Sequence, residues 1–71
     1  MKEIILKYTE KLNTNMAGLA KLLGVPLSNL CRWSYGQRVP GGEYLSTWYQ
    51  SGGWMKEFSI DILLSIKKQT Q

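Results

Sequence analysis

Between Leu19 and Trp33 the chain reads LAKLLGVPLSNLCRW, and the Gly24-Val25-Pro26 step at its centre limits what can form there. Upstream of it, Met16, Leu19, Ala20 and Leu23 recur at i, i+3, i+4 and i+7, which is a single helical face. Gly24 then sits where a helix C-terminus needs a left-handed residue, and Pro26 suits a helix start because its missing N–H is not needed there. A second helix is expected from about Leu27 to Tyr35. At about 100° per residue, Leu30 and Trp33 share one side of it while Ser28, Arg32 and Tyr35 share the other. Leu27 and Asn29 fall on the flanks. Gly36 ends this helix, and RVPGG at 38–42 is a turn cluster. Periodicity alone therefore specifies two helices meeting at a sharp corner.

The flanks of this corner are also helical in pattern. Ile4, Ile5, Tyr8 and Leu12 form one stripe over residues 2–12, with Glu3 four residues before Lys7 as a favourable surface pair. NTN at 13–15 breaks that pattern and offers Asn13, Thr14 or Asn15 as caps for the next helix. Residues 43–50 fit a further helix with Leu45 and Trp48 buried and Tyr44 beside them. The last part admits two readings. Aromatic residues flank Ser51-Gly52-Gly53, and Phe58, Ile60, Ile62, Leu64 and Ile66 alternate, as in a β-hairpin. Ser59 is also a good N-cap, Phe58 and Leu63 match a hydrophobic staple, and Lys67-Lys68 suit a helix C-terminus. The helix is the favoured reading. No internal repeat or low-complexity tract appears.

The chain has 71 residues, enough for one domain over 1–71. A core of this size rarely supplies more than ~3–5 kcal/mol without a staple or an oligomer interface. One cysteine excludes an intrachain disulfide, and no histidine is present to join it in a zinc site, so no cofactor is expected. That cysteine usage fits a reducing cytoplasm. MKEIILKYTE carries charge within its apolar part, unlike a signal peptide, and no apolar run exceeds the three residues Ile62–Leu64, so no membrane partner is expected. With no histidine, no Gly-rich phosphate loop and five scattered acids, the chain is not expected to be an enzyme.

The net charge is +4, and its position matters more than its size. Residues 1–10 and 43–71 each sum to zero. The surplus is Lys11, Lys21, Arg32 and Arg38, in a stretch from Lys11 to Gly42 that contains no acid. A basic region between neutral ones suits a polyanion partner, although charge of this density also suits a plain solvated surface.

Residues 14–40, TNMAGLAKLLGVPLSNLCRWSYGQRVP, resemble the Cro/repressor-type helix-turn-helix family, also called the xenobiotic-response-element family. Leu19-Ala20, Leu23-Gly24-Val25, Leu30, Trp33, Gly36 and Pro40 match its pattern without a gap, and FSIDILL at 58–64 resembles the start of its fifth helix. The resemblance implies an all-α, compact four- to five-helix lambda-repressor-like domain. Its helix-turn-helix would lie at about 15–35. The alternative is an α+β, Cro-like fold with a C-terminal hairpin. The residue types suit the motif: Ala20 is small where the two helices cross, and Val25, Leu30 and Trp33 anchor the third helix so that its outer face is free for a major groove.

By resemblance, base contacts map onto Leu27, Ser28, Asn29 and Arg32. Arg32 can bond bidentately to guanine or reach a phosphate. Ser28 and Asn29 can bond bases or phosphates, or cap the helix. Leu27 can meet a thymine methyl or pack against the preceding helix. Backbone contacts map onto Thr14, Asn15, Tyr35, Gln37 and Arg38, and onto Lys21, which also reads as a solubilising charge. Three positions depart from the family pattern: Pro26 replaces a Ser or Thr cap, Met16 stands where many relatives have glutamine, and Cys31 fills a place where serine is common.

The implied function is a sequence-specific double-stranded-DNA-binding transcriptional regulator, phage- or plasmid-like. It would repress by covering a promoter as a homodimer and would need no small-molecule effector. The expected location is the bacterial cytoplasm, or the host's for a phage protein. Residues 54–71 are the candidate dimerisation element, with Ile60, Ile62, Leu63, Leu64 and Ile66 joined by Trp48 and Trp54; a fully buried last helix is the other reading. The fold also permits a protein-interaction module such as an antitoxin or adaptor.

Overall fold

A computed structural model describes the backbone of residues 1–69 and the side chains of residues 1–66. It is all-α, with α1 at Lys2–Lys11, α2 at Met16–Leu23, α3 at Leu27–Ser34, α4 at Gly42–Ser51 and α5 at Gly53–Gln69. The chain divides into two units, Met1–Val39 and Pro40–Gln71. In the first, α1 packs on α2 and α3, and α2 packs on α3; in the second, α4 packs on α5.

The first unit is built by caps as much as by its core. Asn15 caps α2, its Oδ1 accepting from the Gly18 N–H at 2.9 Å. The three helices α1, α2 and α3 end in the same way. At α1 the Asn13 N–H donates to the Glu10 carbonyl at 3.1 Å and the Thr14 N–H to the Thr9 carbonyl at 2.9 Å. At α2 the Gly24 N–H reaches Lys21 at 3.2 Å and the Val25 N–H reaches Ala20 at 3.0 Å. At α3 Gly36 and Gln37 repeat the pattern onto Trp33 and Arg32, at 3.1 and 3.0 Å. These paired bonds are the Schellman closure, which turns the chain sharply while satisfying the last carbonyls of a helix. Its left-handed residue is Gly24 at φ 74° in α2, while Asn13 at φ 54° does the same work for α1.

The stripes expected from the sequence supply most of the first core, with Ile4, Leu12 and Met16 only half-buried. Ile5 and Tyr8 of α1, Leu19, Ala20 and Leu23 of α2, Val25, and Leu30 and Trp33 of α3 are all buried. Each fully buried Leu or Ile contributes roughly 1.5–3 kcal/mol relative to exposure. Thr9 is also buried, its hydroxyl donating to the Leu6 carbonyl at 2.7 Å. No buried side-chain nitrogen or oxygen among the described residues lacks a hydrogen-bond partner. The Asn15 cap is specific enough to test. Asn15→Ala is expected to destabilise the protein by about 1 kcal/mol and to lower the thermal midpoint by about 4–8 °C in a circular-dichroism melt. An unchanged midpoint would show that the cap contributes nothing.

In the second unit the favoured last helix forms, and the sequence reading is corrected in two places. No strand forms among the described residues, so the alternative C-terminal hairpin does not form. Gly52, at φ 73° and ψ −171°, ends α4 and leads directly into α5. That backbone region is essentially restricted to glycine, which is why a turn-like sequence here joins two helices. Ser59 is not an N-cap either, and Phe58 and Leu63 do not staple a helix start, because α5 begins at Gly53. Ser59 is fully buried, and its hydroxyl donates to the Leu45 carbonyl of α4 at 2.9 Å. Finally, Trp48 and Ile62 of the expected interface lie in the core, at 1% and 0% exposure. Around Trp48, Tyr44 stacks at 5.7 Å and Phe58 meets it edge-on at 5.3 Å, with Trp54 edge-on to Phe58 at 6.4 Å. Ile60, Leu63 and Leu64 face outward, while Trp54 and Ile66 are half-buried. The side chains of Lys67 and Lys68 lie outside the described residues.

Candidate nucleic-acid interface

The corner between α2 and α3 consists of Gly24, Val25 and Pro26. Gly24 makes the reversal, Val25 is buried beneath it, and Pro26 is the N-cap of α3 in an extended conformation, φ −63° and ψ 142°. Proline occupies the cap itself and not the first helical turn, so α3 begins without a side-chain oxygen on its N–H groups. The Pro26 carbonyl instead accepts from Asn29 at 3.0 Å and from Leu30 at 3.3 Å.

With Leu30 and Trp33 buried, the opposite side of α3 is turned outward. Ser28, Arg32 and Tyr35 are exposed there, Tyr35 at 73%. Ser28 and Arg32 are one turn apart, a rise of about 6 Å along the helix. Leu27 is 45% exposed on one flank, and Asn29 is half-buried on the other. All four residues expected to meet bases therefore lie on one eight-residue helix, three of them exposed and Asn29 partly withdrawn. Arg32 is the only cation on α3, and no carboxylate lies in the sequence from Lys11 to Gly42 that could neutralise it locally.

The residues expected at phosphates lie at the C-terminal end of α3 and just after it, and at the start and on the outward side of α2. Gln37 and Arg38 are exposed immediately after the Gly36 closure of α3. Lys21 is exposed on the outward side of α2, opposite the buried Leu19, Ala20 and Leu23. At the start of α2, Asn15 spends its side-chain oxygen on Gly18, so its amide nitrogen, the Thr14 hydroxyl and the first-turn N–H groups of Met16 and Ala17 are the groups that could meet an anion. Lys11, which also belongs to the basic surplus, lies 5.6 Å from the Tyr8 ring and is partly committed there by a cation–π contact.

Two features escape sequence reasoning. The Thr14 hydroxyl occupies the space that a Cβ on Gly18 would need, so Gly18 is the residue that lets Thr14 fold over the α2 N-terminus. A glycine in the first turn of an otherwise strong helix was the available signal. Leu22 is the other, 50% exposed on α2 one step off the buried stripe. Among the described residues no three Cys, Asp or Glu side chains gather as a metal site would require, and no helix is long and apolar enough to cross a membrane. Comparison of the chain with protein-family models, curated proteins and solved structures finds no match.

Proposed function

We propose that this chain is a sequence-specific double-stranded-DNA-binding regulator that inserts α3 into the major groove and represses transcription by covering a promoter as a homodimer. The observation that carries the reading is the division of α3. Leu30 and Trp33 hold it down while Ser28, Arg32 and Tyr35 stand clear, in the one part of the chain with surplus positive charge. A helix held in this way presents its N-terminal side chains to base edges, and basic rims supply the phosphate contacts that set its register. Arg32 reads guanine in this scheme, and Ser28 and Asn29 add hydrogen bonds. Thr14, Asn15, Lys21, Tyr35, Gln37 and Arg38 hold the backbone. The outward Ile60, Leu63 and Leu64 of α5 are the apolar surface available to a second copy. The same surface suits a protein partner, which is the reading of the chain as an antitoxin or adaptor. A phage- or plasmid-encoded protein acting in the bacterial cytoplasm, with no effector, follows from the family resemblance.

Paired arginine variants test the division of labour. Arg32→Ala is expected to relax preference at one or two base pairs, at a cost of about 1–3 kcal/mol in discrimination. Arg38→Ala is expected to weaken all duplexes alike. Sites selected from a random duplex pool and then titrated with both variants provide the measurement. Equal, uniform losses would mean that α3 does not read bases.

A further inference from the structure

We infer that Leu27 is a specificity-determining residue that reads the 5-methyl group of a pyrimidine in the major groove; this rests on the DNA-binding reading above. Two independent observations lead there. The first is what the tip of α3 lacks. Pro26 has no N–H, no side chain caps the helix, and the next side chain is a leucine that keeps 45% of its surface exposed, although Leu30 on the same helix is completely buried. Leu30 and Trp33 supply the buried anchor of α3, and Leu27 leaves nearly half of its surface outside that packing.

The second is the pattern of the outer surface. Ser28, Arg32 and Tyr35 make one lane of hydrogen-bonding groups along α3. Beside it, one turn apart, Leu27 and the part-exposed, unbridged Cys31 make a second lane with little hydrogen-bonding capacity. The only apolar group on a base edge in the major groove is the pyrimidine 5-methyl, carried by thymine and by 5-methylcytosine. A polar lane and an apolar lane side by side match a groove in which a guanine edge lies near a methylated pyrimidine.

The experiment uses the full chain and a duplex recovered by selection. Each thymine is replaced in turn by deoxyuridine, which removes only the methyl, and each cytosine by 5-methylcytosine, which adds only the methyl. At one position the wild-type protein is expected to lose about fourfold in affinity on loss of the methyl, or to gain about as much when it is added, the equivalent of one buried methyl group. The arm that responds identifies the base. Leu27→Ala is expected to abolish that difference while keeping the preference set by Arg32, and Leu27→Met to retain it. A methyl response of the same size in Leu27→Ala, or none at any position in the wild type, overturns the inference and leaves DNA binding intact. Failure of the wild type to bind any duplex at low salt overturns the parent reading and this one with it.

Discussion

Trp48→Ala is expected to destabilise the protein by about 3–5 kcal/mol, the usual cost of deleting a large buried aromatic side chain. Trp48 is only 1% exposed and is the ring that Tyr44 stacks on and Phe58 meets edge-on. Its removal takes away its own apolar burial and two ring–ring contacts worth roughly 0.5–1.5 kcal/mol each. The loss is comparable to the whole stability that a core of this size supplies, ~3–5 kcal/mol. The variant should therefore lose the cooperative urea transition expected of the wild type by far-UV circular dichroism. Tyr35→Ala, at a ring that is 73% exposed, should shift the same transition by no more than about 0.5 kcal/mol. A Trp48→Ala protein with a wild-type midpoint would mean that the packing of α4 on α5 is not as described.

The contrast between the two ends of the chain shows which physical signals are local. The corner was legible because its determinants act within a few residues of themselves. The 16-19-20-23 stripe is buried, apart from a half-buried Met16, Asn15 caps, and Gly24 takes the left-handed conformation. Residues Phe58 to Ile66 were ambiguous for an equally physical reason. Apolar residues at every second position fit a strand of period two, and they also fit a helix in which only every second one of them is buried. The structure resolves this: Phe58 and Ile62 are at 0% exposure, Ile60 and Leu64 at 37% and 59%. The deciding contacts, Ser59 to the Leu45 carbonyl and Phe58 on Trp48, join residues on two different helices, which no local periodicity encodes.

The candidate interface divides in the same way. The placement of Ser28, Arg32 and Tyr35 opposite Leu30 and Trp33 follows from helical geometry alone. The state of Leu27 does not, because packing against α2 and exposure at the tip are equally consistent with its position on the flank. Asn15 was legible both as a cap and as an anion contact, and its side-chain oxygen is engaged in the cap.

A chain that binds double-stranded DNA as proposed engages its phosphates, and duplex affinity should then depend steeply on salt. Counterion release gives a slope of log affinity against log salt of about −0.9 for each phosphate neutralised. Lys21 and Arg38, with Lys11 partly committed to the Tyr8 ring, provide for two to three such contacts per copy. The slope should then be about −2 for one copy and about −4 for a homodimer, so raising salt from about 50 to about 200 mM weakens the dimer by roughly a few hundredfold. Arg38→Ala should reduce the slope by about 1 per copy. An affinity for random and selected duplexes that is the same in low salt as in high would mean that the chain does not engage DNA phosphates, and would point instead to a protein partner on the outward apolar residues of α5.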